Sequence, residues 1–236
     1  MSALLRTAGI TKSFGGVRAL DDCTLEVEEG SITGLIGPNG SGKTTLFNVI
    51  TGYAKADAGA VYLGERMITN SSPDKVFNAG IGRTFQLTRI FPALTVLENM
   101  LVPSKTKGKQ SAMEQLEFVG IAGHHDQLAG TLSYGQRKLL ELAYVLVADP
   151  EVILLDEPAG GVNPTLVGQI AARITELNRT TRKTFLIVEH NMEFVMGLCA
   201  KVAVLDAGTV VASGPPDIIR TDPRVLDAYL GVDVDA

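Results

Sequence analysis

The sequence predicts an α/β fold in which helices cover a mostly parallel sheet. An apolar run at 31–36 leads into a glycine-rich segment at 37–45, and helically spaced apolar residues follow it. Two further runs, at 152–155 and 185–188, are continuously apolar, as buried parallel strands are. We therefore expect strands that alternate with helices within one domain spanning residues 1–236.

The glycine-rich segment reads Gly-Pro-Asn-Gly-Ser-Gly-Lys-Thr-Thr and predicts a phosphate-binding loop. Its glycines allow the backbone to curl, so that successive N–H groups and the next helix point at one anion. Lys43 adds a charge for the outer phosphates, and the Thr44 hydroxyl is suited to ligate Mg²⁺. The alternative, an ordinary turn before a helix, rarely requires so many fixed positions. The candidate nucleotide contacts are Gly37, Pro38, Asn39, Gly40, Ser41, Gly42, Lys43, Thr44 and Thr45.

Composition and charge narrow the function classes. The 236 residues are 45% hydrophobic, which is ample for a core, and the formal net charge is −5 without long Lys/Arg runs. This balance argues against a broad nucleic-acid surface. No uncharged apolar stretch reaches the roughly 18 residues of a membrane span, and the N-terminus has no secretory pattern, so we expect a cytoplasmic protein. Cys23 and Cys199 lack metal spacing and are expected to be buried thiols.

The N-terminal region predicts antiparallel strands. Short β-type runs at Leu4 to Phe14 and Cys23 to Val27 flank a turn at 14–17. Phe14 precedes the phosphate loop and could stack on a nucleotide base. An aromatic residue beside a Gly-Gly turn is more often a core side chain, so both interpretations stay open here.

A strand is predicted at 81–86, ending in Gln86, and a helical block follows it. Gln86 could hold an ion or a water at the sheet edge, or be a solvated amide. Strand signals then vanish from Thr95 to about Ala148. We therefore predict a helical subdomain at 87–149, inserted into a RecA-like core formed by 1–86 and 150–236 with the antiparallel part. Its three predicted helices are Val96–Val102, Ser111–Val119 and Gly135–Ala148.

The third of these helices opens with Leu-Ser-Tyr-Gly-Gln at 132–136. Ser133 is a plausible N-cap, so one interpretation is a well-capped helix and nothing more. The other is a second anion site, made by a hydroxyl, the Gly135 N–H and a helix N-terminus. His124 and His125 lie nearby in a glycine-bounded loop without further ligands, which argues against a metal site there.

A buried strand is predicted from Glu151 onward, and its apolar run at 152–155 ends in two acids, Asp156 and Glu157, and then Pro158. Adjacent residues on a strand point to opposite sides, so the two acids can take different roles. Asp156 is expected to reach the Mg²⁺ shell, and Glu157 to face the attacking water. Together with the phosphate loop, these residues predict a nucleoside triphosphatase.

The last part of the chain supplies one more candidate. A helix is predicted at 165–177, a strand at 184–188, a hairpin around 207–208 and a closing helix at 222–230. A lone histidine after a strand is usually structural. His190, however, follows the strand at 184–188 at the same predicted sheet edge as Gln86 and Glu157, where a contact with the γ-phosphate is expected.

The phosphate loop, Gln86, the 132–136 segment, Leu-Leu-Asp-Glu-Pro and His190 occur in the order and spacing of the ATP-binding-cassette (ABC) ATPases, which the whole chain resembles. The resemblance implies a head-to-tail dimer in which ATP lies between the phosphate loop of one copy and the signature segment of the other. It further implies that Phe14 stacks on the base, Gln86 senses Mg²⁺ and water, and Glu157 is the general base. It makes His190 the switch histidine, and Ser133, Gly135 and Gln136 part of the partner-side nucleotide contact.

Two positions depart from the commonest family pattern. Tyr134 stands where glycine is usual, and Asn163 stands where the loop after the catalytic acid usually carries Asp. With the 83–86 and 91–99 segments and the terminal Ala-Tyr-Leu-Gly at 228–231, they resemble ATPase subunits of branched-chain amino-acid type importers; urea and amide importers look similar.

The importer resemblance implies ATP and Mg²⁺ as cofactors and three kinds of partner. These are membrane-spanning permease subunits, a second ABC ATPase in a homodimer or heterodimer, and, indirectly, an external solute-binding protein. The chain would then lie on the inner face of the cell membrane, without a nucleic-acid partner. The alternatives are a soluble cassette ATPase of DNA repair or translation, and an unrelated phosphate-loop kinase or GTPase, which would not explain the 132–136 segment.

Overall fold

A computed structural model describes residues 2–85, 90–103 and 108–230. Its strands form a four-stranded sheet and a six-stranded sheet. The strands are β1 (Ala3–Phe14), β2 (Val17–Glu28), β3 (Ile32–Ile36), β4 (Ala58–Leu63), β5 (Arg66–Met67), β6 (Ile81–Arg83), β7 (Val152–Asp156), β8 (Thr184–Val188), β9 (Lys201–Asp206) and β10 (Thr209–Gly214).

Some helices pack on the six-stranded sheet, and a block of helices follows β6 and precedes β7 along the chain. Short 3-10 turns at Ala122–His124 and Ala129–Thr131 connect two of them. The helices are α1 (Lys43–Ile50), α2 (Pro73–Asn78), α3 (Val96–Leu101), α4 (Gly108–Val119), α5 (Tyr134–Leu146), α6 (Pro164–Thr181), α7 (Met192–Leu198), α8 (Pro216–Ile219) and α9 (Pro223–Leu230).

The two sheets confirm the predicted class. The four-stranded sheet has the order β2-β1-β4-β5 and is antiparallel. The six-stranded sheet has the order β10-β9-β3-β8-β7-β6 and is parallel except for β10 at its edge. Because parallel neighbours end at one edge, the segments after β3, β7 and β8 are brought together.

Both faces of the parallel sheet are buried, which explains its continuously apolar strands. Along β7, Ile153 and Leu155 face a core shared with the helices between β6 and β7. Val152 and Leu154 face a second core with α1 and the antiparallel sheet. The alternation of side chains along a strand therefore feeds two cores from one apolar run.

The predicted helical block is α3, α4 and α5, and their bounds lie close to those predicted. A capping box at Thr95 and Glu98 begins α3. The helices α7 and α8 were not predicted. The division into core and subdomain at 87 and 150 stays a prediction, and α3, α4 and α5 share one core with the parallel sheet.

The strand predicted to reach Gln86 is shorter than expected. It ends at Arg83, because the Phe85 N–H donates to the Glu141 carboxylate of α5, at 2.8 Å, instead of to a neighbouring strand. Gln86 itself lies outside the described residues.

Both cysteines are buried and free, as predicted. Burial raises the pKa of each thiol to about 12, and the charge of Asp22 adds to the effect at Cys23. Thiols with such pKa values are unreactive at neutral pH. No helix among the described residues is long and apolar enough to cross a membrane.

Candidate functional site

The phosphate loop connects the end of β3 to the start of α1, as predicted. Gly42 caps α1 with φ +108° and offers no side-chain acceptor, so the first N–H groups of the helix are left for a ligand. A Cβ on Gly42 would lie 2.5 Å from the Ala19 carbonyl oxygen, and one on Gly37 would lie 2.0 Å from that of Leu205. These two positions therefore admit only glycine.

Lys43 is nearly inaccessible and points back into the loop. Its ammonium donates to the carbonyl oxygens of Gly37 and Pro38, both at 2.8 Å, and to Ser41 Oγ at 3.3 Å. Burial lowers the pKa of Lys43, and the charges of Glu157 and Asp156 oppose the shift. The Lys43 ammonium is thus held in the loop, where hydrogen bonds to phosphate oxygens could replace its three present ones.

A cleft of about 250 Å³ brings several predicted residues together at the carboxyl edge of the parallel sheet. Its lining includes Ala19 and Val188, which the sequence did not single out. The predicted residues that line it are Asn39, Gly40, Gly42, Lys43, Thr44, Thr45, Glu157 and His190.

Glu157 and His190 form the polar wall opposite the loop. His190 Nε2 lies 3.1 Å from Glu157 Oε1, and their side chains are 45% and 23% exposed. Glu157 has φ +50°, a strained conformation for a residue with a side chain. The Glu157 N–H donates to the Val188 carbonyl oxygen at 2.9 Å, which fixes the acid beside the end of β8.

Glu189 is a supporting residue that the sequence analysis missed. Its buried carboxylate accepts hydrogen bonds from the N–H groups of Ala159, at 2.6 Å, and of His190 and Asn191, at 3.0 and 3.2 Å. It therefore ties the exit of β7 to the exit of β8. The available signal was an acid at the end of an apolar strand directly before the candidate histidine.

Asp156 makes a contact that was not expected. Its Oδ2 accepts a hydrogen bond from Arg83 Nη2 at 2.9 Å, and both side chains are about 95% buried. Arg83 also donates to Asn48 Oδ1 and Thr51 Oγ1 of the α1 region, at 2.8 and 3.0 Å. One carboxylate oxygen of Asp156 is thus engaged behind the cleft.

The cleft supplies some of the oxygen ligands that a bound Mg²⁺ ion would need. Within the described residues, no group of three or more His, Cys, Asp and Glu side chains could hold a metal ion alone. Thr44 is exposed in the cleft, and its hydroxyl is a suitable oxygen ligand for an ion that also binds phosphate. Asp156 has one carboxylate oxygen outside its Arg83 contact, and Gln86 lies outside the described residues.

Phe14 lies at the end of β1 and is 51% exposed. The core interpretation is therefore wrong, because the strand ends where the sheet projects into solvent. Lys12 Nζ lies 5.1 Å from the Phe14 ring centroid. The ring is available for stacking, which stays a prediction.

The signature segment lies outside the cleft of its own chain. Ser133 caps α5, accepting from Gln136 N–H at 3.3 Å, and Gln136 Oε1 accepts from Ser133 N–H at 2.9 Å. This capping box confirms the predicted N-cap. Ser133, Gly135 and Gln136 do not line the cleft that contains Lys43, so a single chain does not assemble the full predicted set.

Side chains of α5 contact the loop after Glu157. Tyr134 donates its hydroxyl to the Gly160 carbonyl oxygen at 3.2 Å, and Lys138 Nζ donates to the Glu157 carbonyl oxygen at 3.4 Å. Asn163 caps α6 through Leu166 N–H at 2.9 Å. The two departures noted in the sequence, Tyr134 and Asn163, thus belong to one connected region.

The C-terminal helix also reaches the phosphate loop. Burial raises the pKa of the Tyr229 hydroxyl, and a hydrogen bond with the Gly37 backbone lowers it in part. Tyr229 of α9 therefore lies close to the first glycine of the loop.

Comparison with known proteins identifies the family. The ABC transporter family matches residues 20–160 of the chain. The chain belongs to the ABC transporter family. A second match, to the branched-chain amino acid ATP-binding cassette transporter family, covers residues 209–235 and so includes Tyr229.

Individual ABC transporter proteins and structures are similar to this chain over almost its whole length. The high-affinity branched-chain amino acid transport ATP-binding protein LivG of Salmonella typhimurium is 37% identical, over 97% of this chain and 98% of its own. The ADP conformation of MJ1267, an ATP-binding cassette of an ABC transporter, has a TM-score of 0.90 at 37% identity and covers 98% and 100% of the two chains. The dimeric structure of MJ0796, a bacterial ABC transporter cassette, has a TM-score of 0.83 at 26% identity and covers 90% and 98%.

These findings confirm the predicted fold, the resemblance and an ATPase subunit coupled to transport. They do not support the soluble cassette ATPase of DNA repair or translation.

Proposed function

We propose that this ABC ATPase binds Mg·ATP in the cleft and hydrolyses it to drive import of branched-chain or other amino acids. The observation that carries the site assignment is the cleft itself, where Lys43, Glu157 and His190 converge at one sheet edge. The solute class rests on the names of the relatives and on the C-terminal family match.

Each residue has a proposed role in the reaction. Glu157 orients the attacking water and accepts its proton, and His190, 3.1 Å away, contacts the γ-phosphate and helps to hold the Glu157 carboxylate. Lys43 exchanges its carbonyl partners for the outer phosphates, and the loop N–H groups stabilise the charge that develops on them. Phe14 stacks on the base.

Mg²⁺ would be held by Thr44, with Asp156 and Gln86 completing the set, and it would neutralise phosphate charge when bound. The Arg83–Asp156 ion pair would keep the carboxylate in place behind the phosphate loop. Arg83 thereby connects β6, which leads toward Gln86, with α1, which carries Thr44.

A second ABC ATPase, either another copy or a similar chain, would complete the site. Its signature segment, corresponding to Ser133, Gly135 and Gln136, would contact the γ-phosphate in a head-to-tail dimer. The separation of this segment from the cleft of its own chain supports that arrangement, as does the dimeric relative MJ0796. Hydrolysis would then reopen the dimer.

The permease would dock in a second groove, of about 420 Å³, between α2 and β6 on one side and α5 on the other. Several aromatic side chains line it, and Tyr53, Phe77 and Phe91 are 52%, 38% and 47% exposed. Such a surface suits a helix from a cytoplasmic loop of a membrane-spanning subunit. Because Phe85 lines the groove directly before Gln86, docking and the nucleotide site would be connected through a short segment. The protein would therefore work on the inner face of the cell membrane.

The proposal is tested by purifying tagged Glu157→Gln protein with ATP from detergent-solubilised cells and identifying its partners by mass spectrometry. We expect multi-span permease subunits, with or without a second ABC ATPase. The reconstituted complex, supplied with its solute-binding protein, should hydrolyse ATP faster when leucine, isoleucine or valine is added. Partners without any membrane subunit would contradict the transport proposal.

A Phe77→Asp variant tests the groove. It should lose the permease in the same purification and still bind ATP as the unaltered chain does. Met67→Asp is a matched control, because Met67 is 64% exposed on β5 outside the groove. Equal loss of permease in both variants would contradict the docking assignment.

A further inference from the structure

The proposed γ-phosphate-binding helix α5 is fixed at its start by a histidine that the sequence analysis set aside. His124 ends the first of the two 3-10 turns between α4 and α5, and its Nε2 lies 2.9 Å from Gln136 Nε2. Its Nδ1 lies 3.2 Å from Gln127 Oε1. His124 is therefore inserted between two glutamine amides, one of which belongs to the capping box of α5.

The hydrogen bonds determine which nitrogen of His124 carries the proton. Gln136 Oε1 accepts from the Ser133 N–H at 2.9 Å, so the amide presents its NH₂ group to the histidine. His124 Nε2 must then be the acceptor, and Nδ1 carries the proton and donates to Gln127. This arrangement requires a neutral imidazole with its proton on Nδ1.

We propose that His124 is a positioning residue for the signature helix and that only its neutral form holds the helix start in the geometry for phosphate contact. A second proton would be bound at Nε2 and would face the NH₂ group of Gln136, two donors without an acceptor. If the amide turned over, its oxygen would accept from His124 and its NH₂ group would face the Ser133 N–H instead. The first case breaks the His124–Gln136 hydrogen bond, and the second breaks the hydrogen bond between Gln136 and the Ser133 N–H. Either loss occurs beside the Ser133 hydroxyl.

Charged groups on the neighbouring turn and helices do not share this contact. His125 is paired with Asp126, Nε2 to Oδ2, at 2.9 Å, and its Nδ1 lies 3.0 Å from the Ala122 carbonyl oxygen. Glu98 of α3 accepts from Thr95 N–H in its own capping box. Among the described residues, neither these groups nor Glu117 of α4 and Arg137 of α5 hydrogen-bond to the His124 ring. A pH effect on the start of α5 should therefore act through the His124 ring itself, because a proton on Nε2 breaks its contact with Gln136.

The first test measures the hydrogen bonds directly, on the full chain labelled with ¹⁵N-histidine. At pH 8 the long-range ¹H–¹⁵N spectrum should show His124 with an unprotonated Nε2 and a protonated Nδ1. On acidification, the amide signals of Ser133 and Gln136 should shift together with the His124 ring. A proton on Nε2 at pH 8, or amide signals that ignore the titration of the ring, would overturn the proposal.

The second test uses a variant whose side chain keeps the hydrogen-bond acceptor and cannot be protonated. In His124→Gln, the side-chain oxygen can replace Nε2 and accept from Gln136 at any pH. This inference rests on the proposed function of the signature segment, so ATP hydrolysis is compared in the assembled transporter from pH 8 to pH 5.5. The kcat ratio of the His124→Gln complex to the unaltered complex should rise about threefold to tenfold on acidification, the scale of one lost hydrogen bond. KM for ATP should change little, because the phosphate loop is untouched.

His125→Gln is the matched control. It removes the adjacent histidine but leaves the contact with Gln136 intact, so its kcat ratio should stay flat. Taking ratios cancels every pH effect that all three complexes share. If the kcat ratio for His124→Gln does not change with pH, the positioning role is overturned even where hydrolysis is normal. Complexes that hydrolyse no ATP at any pH contradict the proposed function instead, and the spectrum then decides whether His124 holds the helix start.

Discussion

The phosphate loop and the signature segment are built in different ways, although both are proposed to bind the same kind of phosphate. The loop is embedded at the edge of the parallel sheet, with Lys43 6% and Ser41 3% exposed. The backbone that surrounds its glycines leaves no room for a side chain at Gly37 or Gly42. The signature segment begins a helix at the surface, and Ser133 and Tyr134 are exposed.

The difference lies in what holds each region. Main-chain packing fixes the loop, so few sequences can build it and its pattern is easily recognised. Side-chain hydrogen bonds fix the signature segment: the capping box of Ser133 and Gln136, the contact with His124, and Tyr134 to Gly160. Such bonds can be exchanged one at a time, so we expect adjustment of the rate to be located there.

The largest expected effect is at Glu157, which faces the loop across the cleft. Glu157→Gln keeps the shape and removes the base, so ATP turnover of the assembled transporter should fall about a hundredfold or more. ATP binding, measured by titration calorimetry, should persist. The control is Glu151→Gln, at the opposite end of the β7 run and exposed there, which should hydrolyse ATP normally. Near-normal turnover of Glu157→Gln would remove Glu157 from its proposed role.

The next largest effect is on ATP affinity, and it distinguishes a residue of the loop from a residue of α5. Lys43→Ala should weaken ATP binding by the isolated chain about tenfold to a hundredfold, because charge-assisted bonds to the phosphates are lost. Lys138→Ala is the comparison, since Lys138 is also 6% exposed but contacts the loop after Glu157 from α5. It should leave the ATP affinity of the isolated chain nearly unchanged. Equal losses in the two variants would break the proposed separation.

A smaller effect is expected from the signature segment itself. Ser133→Ala removes an N-cap worth about 1 kcal/mol and the proposed phosphate hydroxyl. Hydrolysis by the assembled transporter should fall roughly tenfold, with unchanged ATP binding by the isolated chain. Thr95→Ala removes the corresponding capping box from α3 and measures the structural loss alone. If both variants lose the same activity, Ser133 acts only as a cap.

The comparison also explains what could be predicted from the sequence. The parallel sheet, the loop and the two acids at the end of β7 were predictable, because local patterns of apolar runs and glycines determine them. The Arg83–Asp156 ion pair and the Gln136–His124 contact join residues 73 and 12 positions apart through side chains. No periodicity encodes such pairs. For the same reason β6 was predicted too long, since the partner of the Phe85 N–H comes from α5.

The smallest predicted effect concerns the link between the two regions. Tyr134→Phe removes one hydrogen bond, from the hydroxyl to Gly160, and keeps the ring that a Cβ on Gly161 would approach to 3.2 Å. One such bond is worth about 0.5–1.5 kcal/mol, so kcat of the assembled transporter should fall about twofold to tenfold. KM for ATP should stay constant, because Tyr134 does not line the cleft.

Tyr134→Gly sharpens this prediction, since it restores the residue that is usual in the family and removes both the bond and the ring. If Tyr134 positions the loop after Glu157, kcat should fall further than in Tyr134→Phe. If kcat of Tyr134→Gly equals that of the unaltered complex, the loop after Glu157 keeps its conformation without Tyr134. The signature helix and the catalytic acid of one chain would then be independent, and communication between the two ATP sites of a dimer would have to pass through the contacts between the chains.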